Sequence, residues 1–279
     1  MPQKQPDNTA LRTALWRALH VQIDDKPYVI EDEVGFNLIK PEEGWQERPD
    51  MKFTKSLRTS IVARARFIED LAKEQISKGV AQYVLLGAGL DSFTQRNAAI
   101  SSHIDIYEID QTDTLAWKKE KLIENGYRIS NNLHFVPTDF ETTSWLDQLI
   151  SYGFDINQTA FVSCTGVTLY LTEEAIIDTL KKMTSLASNS TIAISFYLPL
   201  ELLEGEDKVL MEMSIKGAAA SGTPFVSFFA PEEITKLAES VGLKNVKTIS
   251  TRDMTDMYFH NRADNLVPAN GEFFLVAKA

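Results

Sequence analysis

Between residues 82 and 195, short apolar runs alternate with stretches of helical periodicity, and that alternation constrains the fold more than any other feature. The runs cover 82–86, 105–109, 133–136, 160–163 and 191–195. A helix through Trp117 and Leu122 follows the second, and a helix over 173–186, with Thr172 as N-cap and Glu173 and Glu174 in its first turn, joins the last two. Strands separated by helices pair in parallel through right-handed crossovers, so an α/β class is expected, with an open, mostly parallel sheet covered on both faces.

The flanks are more helical. Residues 8–21 read as a helix, stopped by Asp24-Asp25-Lys26-Pro27. Residues 40–55 are polar and read as a loop anchored by Trp45 and Phe53. From 57 to 78 the residues Leu57, Ile61, Ala65, Ile68, Ala72 and Ile76 recur on one face of a long helix that Gly79 ends. After Phe196 the rhythm breaks into helical material over 199–222 carrying Glu201, Glu204, Glu206 and Asp207. Pro231 opens a helix through Leu237, a strand is expected at 244–250, and a last strand at 272–277 follows a polar stretch. At 279 residues, the upper end of what one core organises, a single domain is expected. Its parts would be an N-terminal helical cap (1–80), a core (81–198), a lid or substrate insertion (199–230) and the remainder of the sheet (231–279).

Net charge of −11 repels phosphate backbones and anionic lipid, so nucleic acid and membrane are not expected partners. The single cysteine, Cys164, allows no intramolecular disulfide. Met1-Pro2-Gln3-Lys4-Gln5 leads into a polar helix, and no apolar stretch reaches about 18 residues. A cytoplasmic protein is expected.

The chemistry concentrates where strands end. Gly87-Ala88-Gly89 follows the first strand, and glycines there let the backbone approach a nucleotide-like ligand. A purely structural turn is the alternative. A dinucleotide fingerprint would next want glycine at position 92, where the chain has Ser92, so a ligand without a pyrophosphate fits better. About twenty residues on, Glu108 and Asp110 end the second strand at the spacing for a ribose-binding acid. Asp110, at the strand's exit, is preferred, and Glu108 is as readily a solvated capping acid. Asp139 and Phe140 end the third strand, where an acid can accept from an exocyclic amine and a ring can face a purine. A turn aspartate is the alternative.

Taken together, 64–70, 82–93, 107–111, 136–140 and Gly166-Val167-Thr168-Leu169-Tyr170-Leu171-Thr172 resemble the S-adenosylmethionine-dependent methyltransferases of the leucine carboxyl methyltransferase superfamily. Within it the likeness is greatest to the tetracenomycin-type polyketide carboxyl O-methyltransferases. The resemblance runs from Ala14 to Leu266. It implies a seven-stranded class I methyltransferase (Rossmann-like) sheet whose last strand is antiparallel, with S-adenosylmethionine as cofactor. It also implies roles: Arg64 for the methionine carboxylate, Gly87, Ala88 and Gly89 for methionine and ribose, Asp110 for ribose, and Asp139 with Phe140 for adenine. Many relatives carry a glutamate where this chain has Thr165. The ammonium would then fall to backbone carbonyls around Ser163 and Cys164, whose own side chain reads as a free core thiol.

On the long helix, at about 100° per residue, Arg64 lies roughly 60° from the Ile61/Ile68 stripe and Arg66 about 140° away. Arg58 is the reserve candidate, and an ion pair with Glu69 or Asp70 is the structural alternative for both. His20, His103 and His134 have no catalytic surroundings, whereas His260 lies near Tyr258 and Arg262. A carboxylic acid, ionised at pH 7, needs no general base for methylation. The expected acceptor is therefore a small acidic molecule methylated at oxygen. Tyr170, Tyr258, His260 and Arg262 are candidates to position it, and Tyr197, Phe225, Phe228 and Phe229 are candidate pocket walls or core residues. Two rivals remain: an NAD-dependent oxidoreductase, which shares the Gly-x-Gly turn and the acid, and a catalytically silent binding protein. No motif in the chain bears on oligomeric state.

Overall fold

A computed structural model describes residues 6–52, 54–140 and 142–279; Phe53 and residues 1–5, used above, lie outside them. Helix α1 (Asn8–Ile23) starts at Asp7, whose carboxylate accepts from the Thr9 amide. Two short helices, α2 (Val34–Ile39) and α3 (Pro49–Lys52), precede the long α4 (Lys55–Ser77). The expected loop over 40–55 is thus partly helical, with a 3-10 turn at Trp45–Glu47 burying Trp45.

The sheet begins with β1 (Gln82–Leu86), followed by the single-turn helices α5 (Phe93–Arg96) and α6 (Ala98–Ser101). Then come β2 (Asp105–Asp110), α7 (Thr112–Glu124), β3 (Leu133–Pro137), α8 (Trp145–Ser151) and β4 (Ala160–Cys164). Next are α9 (Glu173–Met183), whose Thr172 cap accepts from the Ala175 amide, and β5 (Thr191–Tyr197). The chain closes with α10 (Gly205–Ala220), α11 (Pro231–Ser240), β6 (Lys244–Ile249), α12 (Thr251–Tyr258) and β7 (Glu272–Lys278). The polar stretch after β6 is a helix that sequence periodicity did not signal. Ser250 and Asp253 cap it reciprocally.

Seven strands form one sheet in the order β3-β2-β1-β4-β5-β7-β6. β1 to β5 are parallel, while β7 runs antiparallel to both of its neighbours. This is the class I methyltransferase arrangement of a Rossmann-like α/β fold. Buried residues fill both faces: Val84, Val162, Ile194 and Leu275 on one, Tyr83, Leu85, Phe161 and Phe274 on the other. Ligands in such sheets meet the carboxyl ends of the strands, where the order reverses; here β1 and β4 flank that point.

Buried ion pairs tie the N-terminal helices down. Arg58 donates to Asp24 at 3.1 and 2.7 Å. His20 accepts from the Val29 amide at Nε2, which leaves its proton on Nδ1 for Asp24, 2.8 Å away. Asp32, whose side chain is fully buried, accepts from Arg17 at 2.6 Å and from Ser92 at 2.5 Å. Ser92, read above only as a missing glycine, therefore anchors the exit of the glycine turn to the N-terminal region. Among the described residues, no helix is long and apolar enough to cross a membrane.

Candidate active-site cleft

The glycine turn leaves β1 with Gly87 at φ 73° and Gly89 at φ 48°, both left-handed. The amides of Gly87 and Ala88 donate to the Ile109 carbonyl, at 2.9 and 3.0 Å, folding the turn over the end of β2. A Cβ on Gly87 would lie 2.3 Å from the Val167 side chain, so the turn admits no larger residue without displacement.

Asp110 sits at the exit of β2, one pair beyond that carbonyl. Its Oδ2 accepts from the Gly89 amide at 2.7 Å and its Oδ1 from the Gln111 amide at 2.7 Å. The carboxylate is fixed in orientation, with lone pairs left over for a ligand's hydroxyls. Burial nevertheless raises its pKa above the usual carboxylate value, against those two hydrogen bonds. The Asp110 carbonyl accepts from the Thr138 amide at 2.9 Å, which brings Thr138, Asp139 and Phe140 alongside.

At the exit of β4, Gly166 adopts φ 68°, and its amide donates to Ser195 Oγ at 2.8 Å. A Cβ there would be 2.9 Å from Arg64 Nη1, so glycine makes room for the guanidinium. Arg64 donates to Glu272 at 2.9 Å and lies 3.5 Å from the Tyr197 hydroxyl. Glu272, at the start of β7, was not anticipated as a site residue. Nothing in its local sequence distinguishes it from a strand-end acid, and only the topology brings β7 beside β5.

These groups line one cleft of about 960 Å³, large by the standard of small-molecule pockets at about 300–1,000 Å³. Three helices each turn one face towards it: Thr9, Arg12, Thr13 and Trp16 of α1, Ser60, Ile61, Arg64 and Ile68 of α4, and Asp207, Leu210, Met211 and Ser214 of α10. Each set follows the three- and four-residue steps of a helix face. The face of α1 mixes Thr, Arg and Trp, so hydrophobic periodicity could not single it out.

Of the residues expected to bind a ligand, Arg64, Gly87, Ala88, Gly89, Asp110, Asp139, Phe140 and Thr165 all line this cleft, as does Tyr170. Glu108 does not. Its side chain turns into the protein, fully buried, and pairs with the equally buried Lys118 of α7 at 2.6 Å. Burial outweighs the lysine and pushes Glu108 up to about 7. The alternation that gives Glu108 and Asp110 the same side of β2 does not give them the same surroundings, because α7 covers the earlier position. The Cys164 thiol is likewise packed in the core, and burial raises it to about 12.

Three acceptor-side candidates are corrected in the same way. Tyr258 donates to Asp70 at 3.1 Å on the outer side of α4. Arg262 is bound to Asp264 at 2.6 Å and to the Asp25 carbonyl, fastening the chain near β7 to the end of α1. His260 is exposed on the turn between them. None of the three lines the cleft. Arg58, the reserve for Arg64, is committed to Asp24 instead. The aromatic residues divide: Tyr197 and Phe225 line the cleft, whereas Phe228 and Phe229 pack with the core. Among the described residues, no group of His, Cys, Asp and Glu is arranged to hold a metal.

A sequence profile described as leucine carboxyl methyltransferase matches residues 10–184. The chain is 31% identical, over 95% of both lengths, to YktD of Bacillus subtilis, a protein named as an S-adenosyl-L-methionine-dependent methyltransferase. A Mycobacterium bovis protein named in the same way is 29% identical, with 67% of this chain and 65% of that one covered. Among solved structures, one from Thermobifida fusca named as a methyltransferase superposes with a TM-score of 0.61 at 14% identity, over 98% of this chain and 95% of that one. A DUF574-family protein from Streptomyces avermitilis gives 0.58 at 16% identity, over 98% and 97%. At those identities the structural likeness speaks for the fold.

Proposed function

The chain belongs to the leucine carboxyl methyltransferase family, and from that premise we propose that it is an S-adenosylmethionine-dependent O-methyltransferase that esterifies the carboxylate of a small acidic molecule. The observation that carries the reading is the Asp110 carboxylate, held by the Gly89 and Gln111 amides at the exit of β2 and facing the cleft. An acid fixed there, beside a glycine turn that excludes a Cβ, fits an adenosyl ribose. The strand order supports this over a nicotinamide enzyme, whose sheet has no antiparallel β7 of this kind.

In this reading Asp110 accepts from the ribose hydroxyls, and Asp139 with Phe140 borders the adenine. Arg64, already neutralised on one side by Glu272, offers its remaining N–H groups to the methionine carboxylate. Thr165 and the carbonyls near Ser163 take the place of the glutamate that many relatives present to the ammonium. When bound, S-adenosylmethionine supplies a methyl group on a positively charged sulfur.

The protein's own contribution is positioning and exclusion of water. Tyr170 and Phe225 pack edge to face, with ring centres 5.5 Å apart, and Tyr197 stacks against Phe225 at 6.4 Å. The Val226 amide donates to the Leu169 carbonyl at 2.7 Å, pinning that wall to the turn after β4. Burial holds the phenols of Tyr170 and Tyr197 above their ordinary value, so neither is an anionic base near pH 7. That suits an acceptor already ionised. The test is transfer of a labelled methyl group from S-adenosylmethionine to a panel of organic acids. A base-labile labelled ester is expected; a base-stable ether or amine as the only product would reject the carboxylate.

A further inference from the structure

Helix α10 carries apolar residues on every side, yet Met211 alone among them is buried. A helix of that composition is normally covered all round. Its inner face, with Leu210, Met211 and Ser214, lines the cleft. Its outer face leaves Val209 54% and Met213 64% exposed, and the 3-10 turn before it leaves Leu202 exposed. Two other surface helices are built differently: α9 turns Glu173, Glu174 and Lys181 to solvent, and α11 turns out Glu232, Lys236 and Glu239. Those faces suit water, whereas the outer stripe of α10 does not.

Two exposed charges sit on the same stripe. At about 100° per residue, Glu206, Val209, Met213, Lys216 and Ala220 fall within about 80° of arc. Glu206 and Lys216 are about 15 Å apart along the axis, too far to pair within one helix, and neither has an ion-pair partner among the described residues. When a second copy of the helix is turned end for end at the level of residue 211, position 206 meets 216 and position 209 meets 213, each twice over. Every glutamate then faces a lysine, and every valine a methionine. A parallel pairing would instead set Glu206 against Glu206 and Lys216 against Lys216.

We propose that the outer face of α10 is a docking surface for a second copy of this chain, the two helices packing antiparallel about a two-fold axis level with residue 211. The assignment is independent of what the cleft binds. Val209 and Met213 form the apolar centre, and the two Glu206–Lys216 pairs fix orientation and register at its ends. Sixteen residues give a helix about 24 Å long and about 10 Å wide, so the stripe covers less than the roughly 800 Å² per partner of a standard interface. The dimer is therefore weak, with a dissociation constant on the order of 100 μM. Because the opposite face of α10 lines the cleft, the contact braces the outside of that wall.

The experiment is sedimentation of the full chain from about 5 μM to about 1 mM in about 0.15 M salt, which screens the net charge of −11 beyond about 8 Å. A reversible monomer–dimer equilibrium is expected. Glu206→Lys and Lys216→Glu each place like charges together twice per dimer and should weaken self-association by at least about tenfold. An equimolar mixture of those two variants restores both opposite-charge pairs and should dimerise about as well as wild type. Met213→Asp should also weaken the dimer, with the thermal unfolding midpoint of all three exposed-site variants close to that of wild type. A wild-type chain still monomeric at about 1 mM overturns the proposal, as does self-association unchanged in the single variants. So does a mixture that stays monomeric, which would remove the antiparallel register. Co-sedimentation of a monomeric wild type with phosphatidylcholine vesicles, lost in Met213→Asp, would give the face to lipid and likewise overturn it.

Discussion

Arg64 Nη1 lies 2.9 Å from Glu272 Oε1, so a side chain from the helix before the sheet is held by the first residue of the strand that ends it. Both side chains are mostly buried, which makes the pair sensitive to loss of either member. Arg64→Met should destabilise the fold by about 3–5 kcal/mol and weaken S-adenosylhomocysteine binding. The double change Arg64→Met with Glu272→Gln should recover most of the stability but none of the binding. Denaturant unfolding and calorimetry on the same variants separate the two effects; recovery of binding in the double variant would remove Arg64 from the cofactor site.

Arg58 gives the converse. It pairs with Asp24, away from the cleft, so Arg58→Met should lower stability by about 3–5 kcal/mol and leave S-adenosylhomocysteine affinity unchanged. Burial raises the Asp24 carboxyl, but the hydrogen bonds from His20 and Arg58 and their charges outweigh it and hold the group below its usual value. A carboxyl depressed in the folded state contributes stability above its unfolded pKa and loses it as pH falls through the folded value. Acid unfolding curves should therefore show a smaller pH dependence below about pH 4 in Arg58→Met than in wild type.

The buried Glu108–Lys118 pair has the opposite sign. With Glu108 raised to about 7, its contribution to stability is present in full below the unfolded carboxyl value and declines as pH rises through about 7. Lys118→Met leaves a buried carboxyl without its cation and should cost about 3–5 kcal/mol at pH 8, with a smaller loss at pH 5, where protonation relieves it. Glu108→Gln with Lys118→Met should lie closer to wild type than Lys118→Met alone. Thermal unfolding at the two pH values measures both differences.

At Gly87 the left-handed backbone and the 2.3 Å approach to Val167 act together. Gly87→Ala should reduce S-adenosylhomocysteine affinity by at least about tenfold, since the turn must shift from the position that fixes Asp110. Val167→Ala in the same chain should return part of the affinity by relieving the contact while leaving the φ penalty. An unaltered affinity in Gly87→Ala would show that the turn does not border the ligand.

The parallel strands were legible because each is a short, largely apolar run set between helical stretches. The predicted bounds at 82–86 coincide with β1, and those at 105–109 and 191–195 fall short only by residues at the strand exits. What periodicity missed was short or polar: α12 is held by its cap at Ser250, and α3 lies in a stretch with few apolar residues. In the cleft, residues just after strands were readable, since the chemistry of such a sheet gathers there. Tyr258, His260 and Arg262 misled because nearness in sequence to a chemically rich segment carries no direction, and that segment instead docks against α4 and the end of α1. Glu272 was invisible for a related reason. Its importance comes from a strand order that only the assembled chain brings together.

If Asp110 grips an adenosyl ligand at the exit of β2, calorimetry with S-adenosylhomocysteine on the wild-type chain and on Asp110→Ala reads that grip directly. Saturable one-to-one binding by the wild type, weakened by about tenfold or more in Asp110→Ala, is the predicted result. Absence of binding to the wild type, or equal affinity in the two proteins, would contradict it.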